Sequence, residues 1–320
     1  MSSRAALAAL LLGCAAVASA GEDAAWEWSL PPGFPVPLVP ADNPMNAPKA
    51  RLGALLFFDD RLSLTGTYSC ASCHDPARAY TDGRARARGA LGDLHPRNAP
   101  TLVNAAYAAS LGWLDSGLRT LEAQHRVPLF NEEPVELGFG RVAAERIDAL
   151  RRDPSIRALA IGAFPGLPAE RFDIEQIVAA LASYVRTLVF ADSPFDRWAY
   201  WGEATLSADA RAGFALFASP RTGCAECHGG FAFAGPVVSE RVPNARAVFH
   251  DGIRTPTLRN VAVTAPYMHD GSLATLDDVL AFYSTVGRGK PLALTADDTR
   301  ELRAFLESLT DRRFGPPGPP

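Results

Sequence analysis

Two five-residue segments constrain this chain more than any other feature: Cys70-Ala71-Ser72-Cys73-His74 and Cys224-Ala225-Glu226-Cys227-His228. A Cys-x-x-Cys-His motif offers two thiols for thioether bonds to a haem and a histidine for its iron. A lone Cys-x-x-Cys pair also fits a thioredoxin-like redox site or half a zinc site. Two copies, each followed at once by histidine, favour two covalent c-type haems with His74 and His228 as proximal ligands. The chemistry is then redox, and any fold must wall two large apolar groups.

Cys14, the fifth cysteine, lies near the start, so the chain holds no pair for a structural disulfide. Residues 1–20 read as an export signal: Arg4 gives the positive start, Ala5 to Val17 the apolar run, and Ala18-Ser19-Ala20 a small-residue cleavage site. The run is too short to span a bilayer. Leu11-Leu12-Gly13-Cys14 also resembles a lipoprotein box, which would anchor the chain by lipid at Cys14. An ordinary N-terminal helix is the plain alternative. Either export route places the mature chain in the periplasm. A net charge of -4 gives no reason to expect nucleic acid as a partner.

The 320 residues leave room for two domains. Prolines at 31, 32, 35, 37 and 40 exclude a helix there, and residues 21–47 read as an extended strap. A short helix follows from about Pro48 to Phe58. The remainder is duplicated. Pro100-Thr101-Leu102-Val103-Asn104 follows the first motif, and Pro256-Thr257-Leu258-Arg259-Asn260 follows the second at a similar distance. Arg97 and Arg254 precede these segments, and Thr120-Leu121-Glu122 and Thr275-Leu276-Asp277 come after them. The repeat predicts two related, mostly α, cytochrome c-like haem domains, 48–200 and 201–313, with a junction near 191–205 and a frayed tail over 314–320. Apolar spacing and caps predict helices over 173–190, 208–218 and 295–309.

Together these features resemble the bacterial di-haem cytochrome c peroxidase and MauG family, and within it the MbnH-type enzymes, which act on a small periplasmic metal-binding partner, MbnP. The resemblance rests on Leu30-Pro31-Pro32-Gly33-Phe34-Pro35, His95-Pro96-Arg97-Asn98, Glu133-Pro134-Val135-Glu136-Leu137-Gly138 and the stretch Thr255 to Gly271. It spans nearly all of the mature chain.

The resemblance implies a role for each of several residues. The family places an iron ligand fourteen residues after the histidine of Pro266-Tyr267-Met268-His269-Asp270-Gly271, and that residue here is Tyr283. Ordinary di-haem peroxidases carry methionine there; MauG-type enzymes carry tyrosine, a hard donor that favours oxidised iron. Core packing beside Leu276, Val279 and Leu280 is the plain alternative for Tyr283. Met268 is a rival ligand, and His269 is read as a donor to haem propionates. The loop histidine that caps the first iron in ordinary peroxidases falls at Ala90, so that iron is expected to be open to peroxide. His95 lies five positions away and is read as a loop or propionate contact. Gln124, Pro128 and Glu136 resemble the family's distal pocket, with Glu136 as acid–base group and Gln124 orienting peroxide. Trp113 fits the inter-haem bridge only with a one-residue shift, core packing being its alternative; Trp198 and Trp201 are read as packing. Asn98, Thr264 and Pro266 match the family's calcium site, Thr264 and Pro266 through backbone carbonyls.

The implied function is a MauG-like di-haem peroxidase that uses hydrogen peroxide to oxidise a partner protein, a tryptophan converted to kynurenine in an MbnP-like protein. An ordinary peroxidase fed by a small electron-donor cytochrome is the second reading. A non-catalytic electron-transfer module is the third.

Overall fold

The computed structural model describes residues 26–114, 117–286 and 291–315. The predicted leader, Cys14 and the end of the tail lie outside them. Asn46 begins the first helix by accepting the Lys49 N–H (2.7 Å), and Pro48 in the first turn suits it, so α1 runs Ala47–Phe57. There follow α2 (Leu121–Phe130), α3 (Ala143–Arg152), α4 (Pro154–Ala163), α5 (Ile174–Arg186), α6 (Pro194–Trp201), α7 (Ala208–Ala218), the short α8 (Cys224–Cys227), α9 (Leu276–Thr285) and α10 (Ala296–Ser308). Among the described residues the strands are one short antiparallel pair, β1 (Phe249–His250) and β2 (Ile253–Arg254). The fold is mostly α, as the sequence predicts.

The repeated segments have the same local physics in both halves. Thr120 and Thr275 are helix caps: their hydroxyls accept the N–H of Ala123 and of Asp278, both at 3.1 Å, to open α2 and α9. Thr101 and Thr257 each donate to a carbonyl across a loop, Ala79 and Ala232, both at 2.6 Å. Asn104 and Asn260 both take the left-handed conformation, which asparagine tolerates better than most residues. Asn104 then holds Phe190 by two hydrogen bonds of 2.9 Å, and Asn260 holds the N–H of Asp311 at 2.8 Å. Each asparagine thus ties its turn to a distant segment of its half.

Two apolar cores follow. The first joins Leu52, Leu56, Leu129, Leu150, Ile177 and Leu181 from α1 to α5. The second gathers Phe195, Phe217, Phe233, Leu280, Leu302 and Phe305. Gly53 lets α1 sit directly on α5, since a Cβ there would fall 1.9 Å from the Ala180 carbonyl oxygen. Gly53→Ala is therefore expected to cost about 1–3 kcal/mol by overpacking, measured as a lower urea midpoint.

Three boundaries differ from the sequence reading. The helix predicted over 173–190 stops at Arg186, because Asn104 captures the backbone of Leu188 and Phe190. A division at 200/201 cuts through α6. Ser193 caps this helix, and Phe195 packs on Phe214, Phe233 and Phe305 of the second core, so the chain enters that core within the 191–205 junction and ahead of the 200/201 division. The tail is not frayed from its first residue: the Phe314 ring lies 5.0 Å from Phe190. The proline-rich strap is extended and touches both halves. Phe34 packs on Tyr107 and Phe231, and the Tyr107 hydroxyl donates to the Pro35 carbonyl (2.8 Å).

Candidate functional site

A cavity of about 1580 Å³ lies between the two cores. It exceeds the ~300–1,000 Å³ of an ordinary ligand pocket, as space for two large flat groups requires. Cys70, Cys73 and His74 line it from one half, and Cys224, Cys227 and His228 from the other.

Local structure presents each histidine for ligation. A 3-10 turn, Cys70–Ser72, aims His74 inward with its Nδ1 3.0 Å from the Tyr80 carbonyl. The His228 Nδ1 lies 3.1 Å from the Pro256 carbonyl, one residue before the repeated threonine. A carbonyl can only accept, so each Nδ1 carries the proton and each Nε2 keeps a lone pair, as an iron ligand must. Burial lowers the pKa of His74, which also favours its neutral form. Burial pushes the Cys70 thiol up to about 12 and Cys73 up to about 11. A thioredoxin-like pair needs the opposite shift, so that reading is disfavoured. The residues present fit two covalently held haems.

The remaining candidate residues line the same cavity. Gln124 and Pro128 stand one turn apart on α2. Proline has no N–H to give the Gln124 carbonyl, and the Gln124 side-chain Oε1 is buried with no hydrogen-bond partner among the described residues. Glu136 has its Oε1 3.5 Å from both His95 Nε2 and Asn131 Nδ2. The carboxylate lies close enough to Cys73 and His74 that its charge adds to the burial-driven rise of the Cys73 thiol and partly opposes the burial-driven lowering of His74. Trp113 spans the halves: its Nε1 donates to the Asn98 carbonyl (2.8 Å), its own carbonyl accepts the Arg254 N–H (2.8 Å), and the Arg254 guanidinium lies 5.7 Å from its ring. Tyr283 lines the cavity from α9, together with Leu276, Val279 and Leu280. Met268 lines it too, with φ +70°.

His269 contacts Arg97 (Nδ1 to Nη1, 2.7 Å), and its carbonyl accepts the Asn98 N–H (2.8 Å). This holds Asn98 beside the segment containing Thr264 and Pro266. The Asn98 Nδ2 donates to the Arg84 carbonyl (2.7 Å), which leaves the amide oxygen as the end available to a cation. No cluster of three His, Cys, Asp or Glu suited to a metal occurs among the described residues. A carbonyl and amide donor set with waters suits a hard cation such as calcium.

Sequence reasoning missed two residues here. His125 is buried on α2, lines the cavity, and donates from Nδ1 to the Leu121 carbonyl (2.6 Å). Burial pushes its pKa down to about 4, so it is neutral. Its adjacency to Gln124 was the available signal. Asn131 was missed because nothing local marks it. No helix among the described residues is long and apolar enough to cross a membrane.

Residues 47–205 match the model of the di-haem cytochrome c peroxidase family, which includes MauG. The chain is 37% identical to cytochrome-c peroxidase IdrP1 of Denitromonas iodatirespirans, over 94% of this chain and 92% of that protein. It is 35% identical to the methylamine utilization protein MauG of Methylorubrum extorquens, over 84% and 80%. Among solved structures it resembles a MauG-like protein associated with microbial copper homeostasis, with a TM-score of 0.83 and 34% identity over 92% of this chain and 99% of that one.

Proposed function

Because this chain belongs to the di-haem cytochrome c peroxidase and MauG family, we propose that it is an exported, MauG-like oxidoreductase that spends hydrogen peroxide on a partner protein. The partner is a small periplasmic metal-binding protein of the MbnP kind, and the oxidised group is a tryptophan, converted to kynurenine. The observation that carries this reading is the likeness, over nearly both whole chains, to the MauG-like protein associated with copper homeostasis. Tyr283, where ordinary peroxidases carry methionine, supports it.

Bound haem supplies iron that takes electrons from the substrate and passes them to peroxide. The chain's own residues do the rest. His74 and His228 would hold the two irons, and Tyr283 would be an anionic oxygen donor to the second. Glu136 takes a proton from incoming peroxide and returns it to the departing water. The Gln124 amide orients the peroxide, with Pro128 shaping the pocket. Trp113, which bridges Asn98 and Arg254, would serve as the electron relay between the two haems. Asn98, Thr264 and Pro266 would hold a calcium ion through oxygen donors. The leader directs export, with a lipid anchor at Cys14 as the variant route.

The test is the electron paramagnetic resonance and visible spectra of the ferric protein before and after one equivalent of peroxide. One high-spin and one low-spin signal, reacting without prior reduction, are expected. An MbnP-like metal-binding partner should then show kynurenine by mass spectrometry. Tyr283→Phe should keep both haems and lose partner oxidation. The second reading, an ordinary peroxidase, is favoured by the relative named as one. It requires the opposite: no reaction until one haem is reduced, and rapid oxidation of a small cytochrome.

A further inference from the structure

The sequence leaves His95 as a loop residue, but the structure brings it to Glu136. Residues 87–95 form a small hairpin, in which Arg88 pairs with Leu94 and the His95 N–H donates to the Ala87 carbonyl (2.8 Å). The hairpin docks on the segment that carries Glu136: the Ala90 N–H donates to the Glu136 carbonyl (2.7 Å). Gly89 makes that approach possible, since a Cβ there would fall 1.7 Å from the Val135 carbonyl oxygen. The packing therefore brings the backbone of the His95 hairpin against the segment of Glu136.

The tautomer of His95 is fixed as well. The Arg97 N–H donates to the His95 Nδ1 (3.2 Å), so Nδ1 holds the lone pair. Nε2 then carries the proton in neutral imidazole and can only donate. That Nε2 lies 3.5 Å from the Glu136 Oε1. This is a contact and not a formed hydrogen bond, and catalytic contacts often stand long or poorly aligned until the site is filled. Asn131 Nδ2, held by the Pro134 carbonyl (3.0 Å), approaches the same oxygen at 3.5 Å. Two nitrogens thus approach one carboxylate oxygen of a residue that lines the cavity.

We propose that His95 is a positioning residue that acts through Glu136, its Nε2–H holding the carboxylate in the orientation from which it takes the proton of an incoming ligand. The proposal rests on Glu136 being the acid–base group of the proposed function.

The test is a double-substitution cycle in the haem-loaded protein, read by two rates: reaction with peroxide and uptake of cyanide by the ferric form. Hydrogen cyanide must give its proton to a base as it binds, so the second rate reports the carboxylate without turnover. His95→Phe is expected to slow both by about ten-fold, the scale of one hydrogen bond to a charged acceptor. In a Glu136→Gln background the same change should have almost no effect, because coupled residues are non-additive. His95→Gln, whose amide reaches the Nε2 position, should stay within about three-fold of the parent. If His95→Phe does not fold, His95→Asn replaces it, since its shorter amide stops short of Glu136. An equal loss in both backgrounds would overturn the proposal, because His95 would then act elsewhere. So would a His95→Gln protein as slow as His95→Phe. A Glu136→Gln protein with parental rates would remove the acid–base role of Glu136, and the proposal with it.

Discussion

Asp196→Ala is expected to destabilise the protein by about 3–5 kcal/mol, making it one of the most damaging single changes in the second half. Asp196 and Arg259 form a bidentate pair at 2.8 and 2.9 Å, with both side chains only 1% exposed. The Arg259 Nε also donates to the Phe231 carbonyl (2.7 Å), and its guanidinium lies 4.8 Å from the Phe34 ring. Removing the carboxylate strands a charge that cannot reach water, and a buried cation without its partner costs far more than the pair contributes. Asp196 also accepts the Ser193 N–H and hydroxyl that begin α6, so the helix start weakens too. Urea unfolding of the haem-loaded protein should show the loss directly. Replacing both partners, Asp196→Leu with Arg259→Met, should recover most of it. The strap residue Phe34 rests on this guanidinium, so limited proteolysis of Asp196→Ala should cut first near the strap. A loss under about 1 kcal/mol would mean that water reaches the pair.

The pair also marks what a sequence reveals and what it hides. The duplicated Pro-Thr-Leu-x-Asn and Thr-Leu-acid segments were legible because their work is local: a threonine caps its own helix, and an asparagine turns its own chain. The haem motifs were legible for the same reason, since ligand spacing is set within five residues. The fourth position of the longer repeat shows the limit. It is Val103 in one half, buried in the first core, and Arg259 in the other, paired with Asp196 on a distant helix. Nothing near Arg259 in the chain announces that partner. The early end of α5 was hidden likewise, because Asn104 stops it from across the first half. The sequence carries little signal for α2, whose interior Pro128 argues against a helix. The contact of His95 with Glu136 depends on a hairpin docking that only Gly89 permits.

Glu136→Gln is expected to slow the reaction with peroxide by about 10²–10⁴-fold and to leave the melting temperature nearly unchanged. The two side chains match in size, and the Glu136 side chain is 27% exposed, with its Oε1 making only long contacts to His95 and Asn131. Such a site contributes little to packing, so a stability change within about 0.5 kcal/mol is expected. The amide cannot accept the proton that peroxide must give up, so loss of rate with intact folding separates chemistry from structure. Stopped-flow absorbance of the ferric protein against peroxide measures the rate, and thermal unfolding followed by circular dichroism measures the stability. Gln124→Ala should cost less, because an orienting amide moves no proton. A Glu136→Gln rate within a few-fold of the parent would shift the acid–base role to another group in the cavity. His125 is the next candidate: it is neutral, lines the same cavity, and has its Nδ1 proton committed to Leu121, which leaves Nε2 as a base.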